Sequence, residues 1–205
     1  MTKIETKMIV HLANQKNLKI NNFLEIGSRH GLDAEYVQRR LNIKPENVHI
    51  IEAHPKFSKD IEIAYPKYNV YNFGAWNTED IIVFNAAKDF DDGRSSLLPR
   101  DIYQRNFEQV DIKTKRIDQF ILEEGIASID ACKIDVEGAS FEVLEGFGES
   151  LNNVKLIQIE AEQYDVWEGQ KDYNFVYSKL EEYNFKKIWE IKQGRTQLDS
   201  LWVKE

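Results

Sequence analysis

Short apolar runs of strand length alternate along this chain with longer stretches whose apolar residues recur at three- and four-residue intervals. That is the pattern of β-strands connected by helices around a mostly parallel sheet. Residues 1–20 read as a helix with Met8, Ile9, Leu12 and Ala13 on one face. A strand is predicted over 22–27 and a helix over 32–41, where Tyr36, Val37, Arg40 and Leu41 keep helical intervals up to Pro45. A strand at 48–53 leads through Pro55, a residue suited to a first helical turn, into a helix over 56–65. A strand at 69–73 and a β-excursion at 81–84 follow. From 90 to 106 no period survives, and a loop of that length is as a rule functional. Regular structure resumes with a strand at 109–114, a helix at 117–124 with Gly125 at its C-terminal cap, a strand at 130–136, a helix at 140–146 and a strand at 154–160. A helix near 175–183 precedes strands at 186–191 and 197–203, and the turn Gln193-Gly194-Arg195 makes these an antiparallel hairpin. The prediction is an α/β sandwich, one domain over 1–205, whose ligands lie at the carboxyl ends of the strands.

Composition narrows the function. At 205 residues with 42% hydrophobic content the chain suits one domain with a sizeable core. Lys and Arg number 27 against 35 Asp and Glu, so 27 − 35 gives a net charge of −8. That surplus of anions disfavours nucleic acid and anionic membrane as partners. The apolar runs stay well under the ~18 residues needed to span a bilayer. Cys132 is the one cysteine, and residues 1–17 carry no secretory apolar run, which predicts a reducing, cytoplasmic setting.

Polar residues at predicted strand ends carry the chemistry. The first strand ends in Glu25-Ile-Gly27-Ser-Arg-His-Gly31, an E-x-G-x-x-x-G pattern. Glycine lets the backbone pass close to a ligand, while Glu25 would repel a diphosphate and suits a cationic amino-acid or sulfonium group. Glu52 ends the second strand 21 positions beyond Gly31, the spacing at which an acidic residue binds a ribose hydroxyl pair. Gly74, in Phe73-Gly74-Ala75-Trp76, gives a flat ring access to backbone, or else marks a β-bulge. Lys133, Asp135 and Glu137 alternate onto one face if the strand continues through them, and Glu160 and Glu162 bring two further carboxylates to the same edge. Asp135, Glu137 and Glu160 could bind a hard divalent cation, supply a general base or anchor substrate hydroxyls; the sequence leaves the metal question open.

These residues, together with Gly93-Arg-Ser-Ser-Leu-Leu98, Ile117-Asp118, Lys133-Ile-Asp-Val-Glu-Gly138, Leu144-Glu-Gly146 and Ile157-Gln-Ile-Glu160, resemble the succession in FkbM-type S-adenosylmethionine-dependent methyltransferases, from about Phe23 to Glu162. The resemblance implies a Rossmann-like class I methyltransferase sandwich: a seven-stranded, mostly parallel sheet with an antiparallel last strand and helices on both faces. It implies S-adenosyl-L-methionine as cofactor and methyl transfer to an oxygen of a sugar, polyketide or similar small-molecule or glycan acceptor. Carried over by position, Glu25, Gly27, Ser28 and Gly31 hold the methionine end, Glu52 and Ala53 the ribose side, and Asn72 to Ala75, with Gly74, the adenine. Asp135 and Glu137 face the transfer centre. The sequence departs from the family pattern at His30, where an asparagine-type residue is common, and at His54, where proline is frequent.

An alcohol acceptor must lose a proton, and a carboxylate within hydrogen-bond reach is the natural base. Asp135 is the first candidate, Glu137 and Glu160 stand behind it, and Lys133 is placed to lower the pKa of its neighbour. Ser95 and Ser96 in the 90–106 loop, with Arg94, Arg100 and Arg105, and Tyr164 with Trp167 and Tyr173, are the candidates for acceptor binding. Two other classes compete: a nicotinamide-dependent oxidoreductase, which lacks its G-x-G-x-x-G here, and a non-catalytic protein retaining the fold.

Overall fold

The computed structural model describes residues 4–88, 94–99 and 107–205. Its elements in chain order are α1 (Ile4–Gln15), β1 (Phe23–Ile26), α2 (Leu32–Leu41), β2 (Val48–Ile51), α3 (Pro55–Ala64), β3 (Asn69–Tyr71), β4 (Gly74–Ala75), β5 (Ile81–Ala87), β6 (Phe107–Lys115), α4 (Ile117–Glu123), β7 (Ala131–Ile134), α5 (Ser140–Phe147), β8 (Leu156–Glu162), α6 (Tyr173–Glu182), β9 (Phe185–Gln193) and β10 (Gln197–Lys204). Seven strands form one sheet in the order β3-β2-β1-β7-β8-β10-β9. Neighbours from β3 to β8 are parallel, and β10 runs antiparallel to both β8 and β9. This is the class I methyltransferase arrangement, with one reversed strand inserted next to the edge. The predicted excursion at 81–84 and the predicted strand at 109–114 do not join that sheet. As β5 and β6 they form a second, three-stranded sheet with β4.

β1, β2, β7 and β8 are buried along their whole lengths, as expected of parallel strands covered on both faces. Alternate residues divide between two apolar layers. Leu24, Ile26, Cys132, Ile134, Ile157 and Ile159 pack with Phe120, Val143, Phe147 and Leu180 of α4, α5 and α6. Phe23, Val48, Ile50, Ala131 and Leu156 pack with Ile9, Leu12, Val37 and Ile61 of α1, α2 and α3. Burial pushes the free Cys132 thiol well above its ordinary pKa. On the α1–α2 side the register aligns Glu25, Lys133 and Gln158 across three strands, a polar row inside an apolar layer. No helix among the described residues is long and apolar enough to cross a membrane.

Candidate active site

The turn after β1 is set by two left-handed glycines, Gly27 at φ 79° and Gly31 at φ 73°. A Cβ on Gly27 would overlap the carbonyl oxygen of Asp135, so glycine there lets the ends of β1 and β7 close on each other. Glu25 is fully buried beneath this turn, where its Oε2 accepts from Ser28 Oγ at 2.9 Å and from the Ala34 amide at 3.0 Å. Ser28 Oγ in turn accepts from the Gly31 amide. The first turn of α2 is thus tied to β1 by a carboxylate from below.

Lys133 is the cation of that buried layer. Its Nζ lies 2.9 Å from Asp135, 3.3 Å from Asp33 and 3.5 Å from Glu25. Burial opposes its charge, but the three carboxylates outweigh it and hold its pKa well above the ordinary lysine value. One ammonium cannot neutralise three carboxylates, and Glu25, the deepest, is pushed up to about 7 by burial.

A cleft with about 570 Å³ of free space, mouth included, opens above the ends of β1, β2 and β7. Gly27, Glu52, Ala53, Gly74, Ala75, Ser95, Ser96, Asp135 and Glu137 of the predicted set line it. Glu52 is buried, with Oε2 accepting from the Arg29 amide at 2.7 Å and Oε1 from the His54 amide at 2.8 Å. Burial raises its pKa against those two donors. Phe57, Phe73, Phe84 and Leu97 supply apolar walls. Of these, Phe57 and Phe84 were not singled out from the sequence, because isolated apolar residues there read as ordinary core.

Residues 94–99 run across this cleft. Ser96 bridges to Asn85 of β5, donates its hydroxyl to the Glu137 carbonyl at 2.6 Å and accepts from the Leu98 amide. Ser95 Oγ accepts from the Ala87 amide. The remainder of the predicted 90–106 loop, with Arg100 and Arg105, lies outside the described residues.

The expected alternation of Lys133, Asp135 and Glu137 on one strand face is corrected by the structure. β7 stops at Ile134, and Glu137 and Gly138 take left-handed φ values of 49° and 93°, so a turn rather than a pleat presents Glu137. It nevertheless meets Asp135 and Glu160: one carboxylate oxygen from each lies within 4.8 Å of the others. Gln197 Nε2 donates to Glu160 Oε1 at 2.9 Å and to Glu137 Oε2 at 3.2 Å. Burial, then the charges of Asp135, Glu137, Asp199 and Glu162, push the Glu160 carboxyl well above its ordinary pKa.

A second cavity, with about 950 Å³ of free space and open to solvent, lies on the hairpin side. Its lining is polar: Glu5, Glu137, Glu160, Gln193, Arg195, Thr196 and Gln197, with Gly194. Glu137 lines both spaces. Glu25, Ser28, Gly31 and Lys133 line neither and stand behind the cleft wall. Tyr164, 61% exposed, is on neither lining. No sequence motif marked Glu5, Gln193 or Gln197, since they reach the site only through the packing of α1 and the β9–β10 hairpin.

With this geometry, comparison with known proteins decides the kinship. The FkbM methyltransferase domain matches residues 25–187. The chain belongs to the FkbM methyltransferase family. A 2-O-methyltransferase, NoeI of Sinorhizobium fredii, is 34% identical over 61 residues, which is 30% of this chain and 25% of that protein. The structure of methyltransferase FkbM from Methylobacillus flagellatus superposes with a TM-score of 0.57 at 14% identity, covering 94% of this chain and 47% of the other. TrmK of M. capricolum, solved with S-adenosylhomocysteine, gives a TM-score of 0.54 at 11% identity over 100% of this chain and 69% of the other. Magnesium protoporphyrin IX methyltransferase from Synechocystis, with bound S-adenosylmethionine, gives 0.53 at 9% identity over 98% and 78%. The last three likenesses establish the fold.

The cofactor of the FkbM family is S-adenosylmethionine, and the cleft fits it. Glu52 accepts one backbone donor on each oxygen and keeps lone pairs for a vicinal diol at the cleft wall. The phenylalanine-lined end suits a flat heterocycle.

Proposed function

We propose that this protein, acting as one domain over 1–205 in a reducing compartment, methylates a hydroxyl oxygen of a small molecule such as a sugar or polyketide. The observation that carries this reading is Glu137, shared by the apolar cleft and the polar cavity, with Asp135 and Glu160 beside it. A cofactor in the first space and an acceptor in the second would meet at carboxylates. The match to a 2-O-methyltransferase supports oxygen as the acceptor atom.

Bound S-adenosylmethionine supplies a methyl group on a cationic sulfur, an electrophile that needs no further activation. The protein's contribution is placement and a base. Glu52 would hold the ribose hydroxyls, the backbone at Gly27 the amino-acid end, and Ala53, Gly74 and Ala75 the ring. Orientation of two reactants at contact distance accounts for much of the rate gain in such transfers. As the acceptor oxygen takes the methyl group, the S–CH3 bond would break with its electron pair staying on sulfur as a neutral thioether, and the acceptor O–H proton would pass to the Asp135 carboxylate, with Glu137 and Glu160 alongside. Lys133 acts through Asp135, whose carboxylate its ammonium holds at 2.9 Å, and is a positioning residue. Ser95 and Ser96 line the cleft rather than the polar cavity, and Tyr164 lines neither, so in this reading the acceptor meets the residues of the polar cavity instead.

Thermal unfolding with S-adenosylhomocysteine, S-adenosylmethionine and NAD in parallel tests it. At about 100 times the dissociation constant a ligand stabilises by ~2.7 kcal/mol, roughly 5–10 °C for a chain of this size. Shifts with both adenosyl ligands that vanish in Glu52→Ala are expected. A shift with NAD alone would replace this reading with an oxidoreductase, and no shift with any of the three would leave a non-catalytic relative.

A further inference from the structure

We propose that Asp135, Glu137 and Glu160 form a binding site for one hard divalent cation at the junction of the two cavities. Cations of the magnesium, manganese and calcium class take oxygen ligands at about 2.0–2.6 Å, so oxygens on opposite sides of one ion stand about 4–5 Å apart. The three carboxylate oxygens already lie within 4.8 Å of one another, the spacing of ligands around one such ion. They come from two segments of the chain: Asp135 and Glu137 from the turn after β7, and Glu160 from β8. Such a set is held by the fold and not by a single loop.

A separate observation on α1 points to the same place. Glu5 is 1% exposed, yet it lines the polar cavity with Glu137 and Glu160. Its Oε1 accepts from Gln193 Nε2 at 2.5 Å, while Oε2 is buried and has no hydrogen-bond partner among the described residues. A buried carboxylate oxygen without a donor is costly and calls for a cation or a coordinated water. Glu162, two residues past Glu160, also buries an Oε1 with no partner among the described residues. Asp199 stands opposite Glu160 in the β8–β10 register, which adds another carboxylate to the same edge. The open cavity that Glu5 lines together with Glu137 and Glu160 leaves room for water or acceptor oxygens to complete the coordination of an ion at the junction.

The ion's role rests on the methyl-transfer reading: a hydroxyl coordinated to it would sit beside the cleft and lose its proton to the carboxylate cluster more readily. Its binding does not rest on that reading. Titration of the full chain with Mn2+, followed by electron paramagnetic resonance of the free ion, tests the site, with Mg2+ and Ca2+ as competitors. One saturable site is expected, weakened at least tenfold in Glu160→Gln and in Glu137→Gln and unchanged in Glu62→Gln on the exposed face of α3. Absence of saturable binding at millimolar Mn2+, or equal affinity in all four proteins, overturns the proposal. Glu137 is only half-buried, so Glu137→Gln decides the matter should Glu160→Gln fail to fold. A thermal shift with S-adenosylhomocysteine, run on the same samples, keeps the two readings apart. A shift without Mn2+ binding removes the cation site alone, and Mn2+ binding without a shift removes the methyl-transfer reading alone.

Discussion

Gly27 links the backbone to the chemistry at the scale of one residue. Its left-handed φ disfavours any side chain, and the Asp135 carbonyl occupies the space a Cβ would need. Gly27→Ala is expected to destabilise the protein by about 2–4 kcal/mol and to weaken S-adenosylhomocysteine binding at least tenfold, read by urea denaturation and calorimetry. Lys133→Met leaves Glu25, Asp33 and Asp135 facing one another without their ammonium. A loss of roughly 3–5 kcal/mol is expected at pH 8. The loss should shrink toward pH 5, where Glu25, whose pKa is pushed up to about 7, carries a proton. His49 gives a pH dependence of its own: burial pushes its pKa down from 6.5 to about 4, so it stays neutral in the native protein. The unfolded chain takes up its proton first as pH falls, so this contribution is complete above 6.5 and lost toward 4, by roughly 3 kcal/mol. The melting temperature of His49→Gln should therefore fall less than that of the parent between pH 6.5 and 4. The place of Glu52, Asp135 and Glu137 at the cleft was readable in the sequence because strand-end carboxylates are conspicuous in an apolar context. The inward, structural place of Glu25 and Lys133 was not, because burial depends on what α2 lays over them.

Among the elements, those with a strong apolar period were legible nearly to the residue. α2 spans the predicted 32–41, and β10 extends the predicted 197–203 by one position. What the pattern could not convey was partnership. β5 and β6 alternate like any half-buried strands, and nothing local says that β6 pairs with both β5 and the two-residue β4 and that the three stand apart from the main sheet. The same limit hid the polar cavity, whose Glu5, Gln193 and Gln197 lie on α1, β9 and β10. Gln197 shows how an element can set chemistry at a distance, since its amide holds Glu137 and Glu160 together. Gln197→Leu should leave those two carboxylates repelling each other. The expected result is a fall in kcat/KM of tenfold or more with S-adenosylhomocysteine affinity within about threefold of the parent, which separates an acceptor-side role from a cofactor-side one.

For the whole molecule, β10 closes the sheet from within, pairing on both sides and burying Leu198, Leu201, Trp202 and Val203. A chain ended after Gly194 should lose cooperative unfolding by circular dichroism, because β9 and the outer face of β8 would both lack their partner. Cys132 stands at the opposite extreme of accessibility, in the middle strand of the seven, with β1 on one side and β8 on the other. A thiol reagent therefore meets it only when that strand is laid bare. Because no other thiol competes, the rate of its modification in the native buffer is a clock for opening of the sheet's centre, and slowing of that clock by a bound nucleoside would report occupancy of the cleft without any assay of turnover.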